Sequence, residues 1–464
     1  MHYDLAIIGA GPAGMEAAIQ AAGLDLAVAV FDEQPAPGGQ VFRGVEAGAT
    51  DPALAGEYAE AGAALVARFR AAAGIDYHPS STVWHIALHI GQMSVLQDGA
   101  SMEVTAGRIL IATGAQERPV PIPGWTLPGV MTAGAAQIML KTAGAVPEGP
   151  VILAGQGPLA WLLAAQLLQA GLPALTLLET TPRGALRRAL PAGGLWRGRE
   201  TLRKGLRYVR AARRRGLKLV RAVDGLRAEG ESQVQRVRWN GGSAACATLL
   251  LHEGVIPSTH ITRALGLDHA WDAAQLCWRP VVDGWGATSD PLIAVAGDGA
   301  GIGGWESAVA AGHLAALDAA FRAGRLGQAT RDAQAGIPRH AAQKALALRP
   351  FLDRLYRPAP SILAPPDDST IVCRCEEITA GQIRQAARLG ASGPNQAKAY
   401  LRAGMGPCQG RFCGTTTAAV IAGERSITIA QAGFLRPRAP FKPLTVGALA
   451  ALPVEGMVVP AARR

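Results

Sequence analysis

Two glycine-rich turns, each following a short apolar run and leading into a run of small helix-forming residues, constrain this chain more than any other feature. The first follows Tyr3–Ile8 and reads Gly9-Ala-Gly11-Pro-Ala-Gly14, with a helix predicted over Met15–Ala22 and a strand over Leu26–Phe31. In such a turn one glycine permits the bend, one lets a pyrophosphate approach the backbone, and one lets the helix pack on the strand. The helix N-terminus then offers orphan amides and a positive dipole end to the phosphates. Glu33, 24 residues after Gly9, stands where an acid can bind ribose hydroxyls.

The second cycle runs Val151–Ala154, Gly155-Gln-Gly157-Pro-Leu-Ala160, a helix through Leu168, a strand at Leu175–Leu178 and then Glu179. Alanine is a permitted third residue, and an acid at Glu179 favours a free ribose 2′-hydroxyl, hence NAD over NADP. The pattern leaves open a unit that is structural, empty or filled by another nucleotide. Two further strands end in small-residue turns, Arg108–Gly114 and Pro291–Asp298.

The order implies an α/β protein in which the first dinucleotide unit is interrupted by the second and then resumed. The expected divisions are 1–130 with 285–357 for the first unit and 131–284 for the second. A proline-rich linker follows at 358–367, then a cysteine module at 368–424 and a tail at 425–464 with no assigned role. Thr379-Ala-Gly-Gln382 reads as a capping box opening a helix through Leu389.

A length of 464 residues suits about three domains. No run of 18 or more residues is free of polar or helix-breaking residues, so no transmembrane helix is expected, and Met1-His2-Tyr3-Asp4 lacks the basic start of a signal peptide. Six cysteines are too few for a disulfide framework, and thiolate ligands need a reducing compartment; the cytoplasm is the expected address, with contact to a membrane only through an electron acceptor. The net charge of +10 is concentrated between Arg183 and Arg221, where Glu200 is the only acid. Arg199, Arg203, Arg207, Arg210 and Arg214 share one helical face, read as a solvated surface or a docking face for an acidic partner. Nucleic acid is not indicated, because no aromatic interleaving or recognition motif accompanies them.

Cys373, Cys375, Cys408 and Cys413 form two close pairs, a ligand set for tetrahedral zinc or a [2Fe–2S] cluster. The one-residue gap between Cys373 and Cys375 is less usual for zinc. Cys246 and Cys277, distant and unpaired in sequence, read as buried small hydrophobes.

Glu33, Gly38-Gly39-Gln40, Ala112-Thr113-Gly114 and Gly297-Asp298 resemble the two-dinucleotide-binding-domain flavoproteins. That resemblance implies FAD in the first unit, contacted through Gly9, Gly11, Gly14, Glu33, Gly39, Gln40, Thr113, Gly114 and Gly297, with Asp298 on the ribityl chain. It implies NAD or another nucleotide at Gly155, Gly157 and Glu179, and Gly254–Pro257 resembles the return crossing. Unlike the disulfide reductases of that superfamily, the chain has no cysteine before Cys246, so no dithiol pair can face the flavin.

The cysteine module, Cys373–Thr379 with Gly404–Cys413, resembles the bacterioferritin-associated-ferredoxin-type [2Fe–2S] domain, which implies the four cysteines as cluster ligands. Over nearly its full length, with Asp32–Gln40 and Gly124–Met131, the chain resembles the α-type subunits of heteromeric amino-acid dehydrogenases, a group with opine oxidase, D-hydroxyproline dehydrogenase and hydrogen cyanide synthase subunits. Implied partners are a flavin β-subunit similar to D-amino-acid oxidase, in some cases a small ferredoxin-like subunit, and a quinone or other carrier. FMN is a further flavin expected at a subunit interface. No catalytic base is assigned, and Lys141, which faces either a flavin phosphate or the solvent, is left without a role. The competing readings are a stand-alone NADH-dependent flavin reductase feeding the cluster, and a non-enzymatic iron-sensing or interaction protein.

Overall fold

The computed structural model describes residues 2–46 and 57–452. Two sheets, one mixed and one parallel, organise the N-terminal three quarters. In the first, the order is Ile75–His78, Val28–Phe31, His2–Ile8, Ala100–Ile111, Gln92–Gln97 and Ser81–Ala87, and Ile293–Val295 also pairs with Ala100–Ile111. The strands nearest the glycine turn are parallel, with Ile7 opposite both Val30 and Leu110, while Gln92–Gln97 runs antiparallel to its two neighbours. Strands covered on both faces need apolar residues at consecutive positions, and Leu5, Ala6, Ile7 and Ile8 are all buried.

The second sheet is parallel throughout, in the order Lys218–Arg221, Leu175–Glu179, Val151–Gly155, Thr248–His252 and Val130–Thr132. The chain passes between the sheets on a two-stranded crossing in which Ala115–Glu117 pairs antiparallel with Val255–Pro257. This crossing lies earlier on both sides than the divisions at 130 and 285. The strand Val130–Thr132 belongs to the second sheet, and Ile261, Leu265, Leu267 and Val282 already pack against the core of the first. Arg118 fixes the crossing by donating to three backbone carbonyls, of Glu253, Gln275 and Leu276.

The helix Trp305–Arg322 lies along Pro12–Ala22 so closely that a Cβ on Gly312 would come within 2.1 Å of the Ala13 carbonyl oxygen. Asp318, buried on that helix, accepts from Arg108 of the first sheet at 2.9 Å and is also bonded to Arg322 and Arg331. Ile362 and Leu363 are buried within the proline-rich stretch, on the short helix Pro360–Leu363. The stretch expected to act as a linker is therefore packed down, Ile362 against the core of the second unit and Leu363 against Leu276 and against Ala419 of the cysteine module, because these two large apolar residues interrupt its prolines.

The cysteine module consists of the hairpin Ile371–Cys373 with Ile378–Thr379 and the helices Ala380–Arg388, Pro394–Leu401 and Gly414–Glu424. Thr379 and Gln382 form the reciprocal capping box. Trp125, in the glycine-tryptophan motif of the second unit, donates its indole N–H to the Ile371 carbonyl at 2.7 Å and ties the module down. The tail, too, packs on the rest of the chain. Leu435 fills the space beneath Gly404 and Gly410, Phe441 is buried in the core of the first sheet, and Ser101 donates to the Ala448 carbonyl.

Candidate functional site

A cleft of about 620 Å³ opens at the carboxyl ends of the first sheet's parallel strands. Gly9, Gly11, Glu33, Gly39, Gln40, Thr113, Gly114, Gly297 and Asp298 all line it, brought from five separate stretches of the chain. Gly9 adopts φ +108, and a Cβ there would lie 2.6 Å from the Ala112 carbonyl oxygen, so the turn admits only glycine. Gly14 is buried one helical turn further on, beneath Gly9, and does not reach the cleft surface.

The turn is held from below by Asp32, whose carboxylate accepts from the Ala10 and Gln34 amides. Asp298 performs a comparable task on the opposite wall. Its Oδ1 accepts from the amides of Gly303 and Gly304, both at 2.9 Å, just before the helix Trp305–Arg322. That helix has no side-chain cap, so its first amides remain available to a ligand.

Four groups complete the cleft that spacing alone did not single out. Gln137 and Lys141 enter from the helix Ala133–Ala143 of the second unit, so the cleft floor belongs to both units. Lys141 donates to the carbonyls of Gln40 and Val41, and burial pushes its ammonium down to about 8, with the nearby Arg43 adding. Arg411 enters from the cysteine loop and Lys442 from the tail, where its ammonium meets Glu33 at 3.0 Å. Lys141, Arg411 and Lys442 share a long sequence distance, each being a hundred or more residues from its partners Gln40 and Val41, Gln116, and Glu33.

The cleft residues fit a flavin dinucleotide on three observations. The glycine turn leaves the backbone bare where a pyrophosphate would lie. An uncapped 18-residue helix points its N-terminus at the cleft. Buried nitrogens of Arg43, His260 and Trp305, all lining residues, have no hydrogen-bond partner within the protein.

The four cysteines stand as two pairs. Cys375 and Cys408 have their sulfurs 3.6 Å apart, and Cys373 is hydrogen-bonded to Cys413. Two thiolates for each of two irons match this layout better than four thiolates around one zinc. The bond from Cys413 holds the Cys373 thiol at about 6 despite burial, and the Gly404 amide donates to the same sulfur at 3.5 Å. Gly406 is needed for contact, since a Cβ there would come within 2.2 Å of the Cys375 Cβ. Gly410 makes room for Leu435.

The cysteine loop and the cleft share a wall. Gln116, two residues beyond Gly114, donates to the Arg411 carbonyl at 2.9 Å, and the Arg411 guanidinium donates to the Phe441 carbonyl at 2.6 Å. A void of about 30 Å³ beside this wall is bounded by Gln116, His260, Gln409 and Arg411. Burial, reinforced by the charges of Arg411, Lys442 and Arg263, pushes His260 down to about 3, so it is neutral at physiological pH.

Gly155 and Glu179 are brought together at the carboxyl ends of two inner strands of the second sheet, directly opposite each other in register, with Gly157 at the start of the helix that follows. Glu179 pairs with Arg221 at 3.7 Å. Behind the turn, Glu253 is fully enclosed and accepts from Gln156 at 2.7 Å and Thr180 at 2.6 Å. Cys246 and Cys277 are buried and lie outside the flavin cleft.

Residues 3–315 match the family described as pyridine nucleotide-disulphide oxidoreductase, and residues 371–423 match the BFD-like [2Fe-2S] binding domain. The A subunit of opine oxidase from Agrobacterium tumefaciens (strain Ach5) is 44% identical, covering 97% of this chain and 92% of its own. The chain belongs to the family of opine oxidase A subunits. Hydrogen cyanide synthase subunit HcnB of Pseudomonas aeruginosa is 32% identical, across 98% of this chain and all of its own. The same architecture occurs in L-proline dehydrogenase from P. horikoshii, with a TM-score of 0.72 at 19% identity over 97% of this chain and 79% of that one. Members of the opine oxidase family to which this chain belongs are α-type subunits. This one is a flavin oxidoreductase subunit of a heteromeric dehydrogenase, with FAD and a [2Fe–2S] cluster as its cofactors.

Proposed function

We propose that this chain is the electron-transferring subunit of a heteromeric amine or amino-acid dehydrogenase acting on CH–NH bonds of opine, hydroxyproline or glycine type. It receives electrons from a partner flavin subunit similar to D-amino-acid oxidase and delivers them to a quinone or other carrier. When bound, FAD supplies two-electron chemistry and the cluster one-electron transfer.

The observation that carries this reading is the shared wall. Arg411 sits two residues from Cys413 and lines the same cleft as Gly9, Gly297 and Asp298. In this reading Gly9, Gly11, Gly39, Gln40, Thr113 and Gly114 hold the dinucleotide, Asp298 its sugar chain, and Cys373, Cys375, Cys408 and Cys413 the irons. Gly14 supports the turn from within the helix. The cleft contains no cysteine among its described residues, so the chain brings no dithiol to its flavin. FMN at a subunit interface and a small ferredoxin-like subunit belong to the same proposal. The relatives, the opine oxidase A chain and HcnB, are named as subunits, which supports a bond-breaking partner.

The test is turnover of the chain alone, loaded with FAD and cluster, against the chain co-expressed with a β-subunit. The isolated chain is expected to leave opines, proline derivatives and glycine unoxidised; robust oxidation by it alone would overturn the assignment. The register of Glu179 opposite Gly155 favours a second reading, an NADH-fed reductase. Rapid mixing with NADH discriminates: flavin bleaching supports the reductase, and an unchanged flavin spectrum removes it.

A further inference from the structure

The flavin cleft and the cluster leave one strongly built surface without a task. Residues 183–215 hold eleven arginines and Lys204 against a single acid, Glu200, while the whole chain carries a net charge of +10. Apart from this segment the molecule is therefore close to neutral. The segment forms two helices, Ala185–Ala189 and Arg199–Arg214. Ala212, Tyr208 and Val209 seat the longer one on the core of the second unit. Its other side is exposed, with Arg199, Arg203, Arg207, Arg210, Arg213 and Arg214.

At 100° per residue these arginines fall in a single arc of roughly 120°, and Leu206 lies within it. Leu206 is 45% exposed, and Trp196, just before the helix, is 80% exposed with the Arg199 guanidinium 5.2 Å from its ring centroid. Leu186 and Leu190 are exposed on the neighbouring short helix and the turn that follows it. A merely solvated basic face has no use for an open tryptophan and three open leucines. A polyanion such as nucleic acid would be met by the cations and would leave those side chains in water. A basic face with tryptophan and leucine set into it is what a helix lying in the plane of an anionic bilayer requires. Guanidiniums meet lipid phosphates with charge-assisted hydrogen bonds, and the apolar anchors enter the boundary beneath them. Among the described residues no helix is long and apolar enough to cross a membrane, so such contact would be peripheral.

We infer that residues 183–215 dock this protein in-plane on an anionic lipid surface, with Trp196 and Leu206 as anchors and Arg199, Arg203, Arg210 and Arg214 as phosphate contacts. The inference stands apart from the dehydrogenase reading, and either can fail without the other.

Co-sedimentation of the flavin-loaded chain with vesicles of phosphatidylcholine, with and without phosphatidylglycerol, tests it. Binding is expected to the anionic vesicles alone and to weaken as salt shortens the Debye length. Replacing Arg203, Arg210 and Arg214 together by Gln is expected to lower partitioning roughly a hundredfold. Trp196→Ala with Leu206→Ser is expected to reduce it several-fold at unchanged charge. Arg325→Gln with Arg436→Gln, exposed arginines elsewhere, serves as the control and is expected to bind as the unaltered protein does. An unchanged flavin spectrum and melting temperature show that each variant is folded. Equal binding to neutral vesicles, no binding at all, or binding unaffected by either segment variant would overturn the inference. So would an apolar variant that binds at full strength while double-stranded DNA or an acidic polypeptide displaces the vesicles.

Discussion

Lys141 holds an ammonium where burial opposes it. Unfolded, such a lysine titrates near 10.5; folded, it titrates at about 8. Between those values the unfolded chain binds more protons, so this group makes stability rise with pH from about 8 to about 10.5, with a cost of up to about 3 kcal/mol below that window. Denaturation midpoints measured at both ends should show the rise, and Lys141→Met should flatten it. A contrary case is Gly9→Ala, where both the positive φ and the contact with Ala112 oppose a side chain. It is expected to cost about 1–3 kcal/mol and to empty the cleft of flavin, read as absorbance per mole of purified protein. Glycine positions such as Gly9 were legible from spacing because their constraint is local. Lys141, Arg411 and Lys442 were not, because nothing near them in sequence marks the wall they complete.

Elements carry the next level of information. Helix starts announced themselves: Thr379 and Gln382 cap as their three-residue spacing predicts, and Thr379→Ala should cost about 1 kcal/mol in the thermal stability of the cysteine module. The strands around both glycine turns were equally legible, since apolar runs of four to six residues bounded by glycine leave few alternatives. Where a strand belongs was harder to read. Val130–Thr132 pairs with Thr248–His252 across more than a hundred residues, a fact of register that no local pattern encodes. The helix Trp305–Arg322 depends on a buried charge cluster, and Asp318→Asn should strand Arg108 in the interior at a cost of about 3–5 kcal/mol, measurable by denaturant unfolding. The proline-rich stretch misled in the opposite direction, because Ile362 and Leu363 gain more from burial than the prolines gain from extension.

At the scale of the whole molecule, the tail that had no role in the sequence proves to join the two cofactor regions. It supports the cysteine loop with Leu435, enters the first core with Phe441 and meets Glu33 with Lys442. Truncation after Gly433 should therefore lower flavin retention as well as stability, the Phe441 contribution alone being about 3–5 kcal/mol. Comparison of flavin content with Cys373→Ser checks the specificity of the effect: that variant should lose cluster absorbance and keep its flavin. The same connectivity bears on synthesis. The second sheet is built from residues 130 to 252 and can close as soon as they leave the ribosome, whereas the first waits for Ile293–Val295 and then for Phe441. The sheet that is begun first is thus finished after the second, and its cleft gains its final wall only once Phe441 and Lys442 have been made.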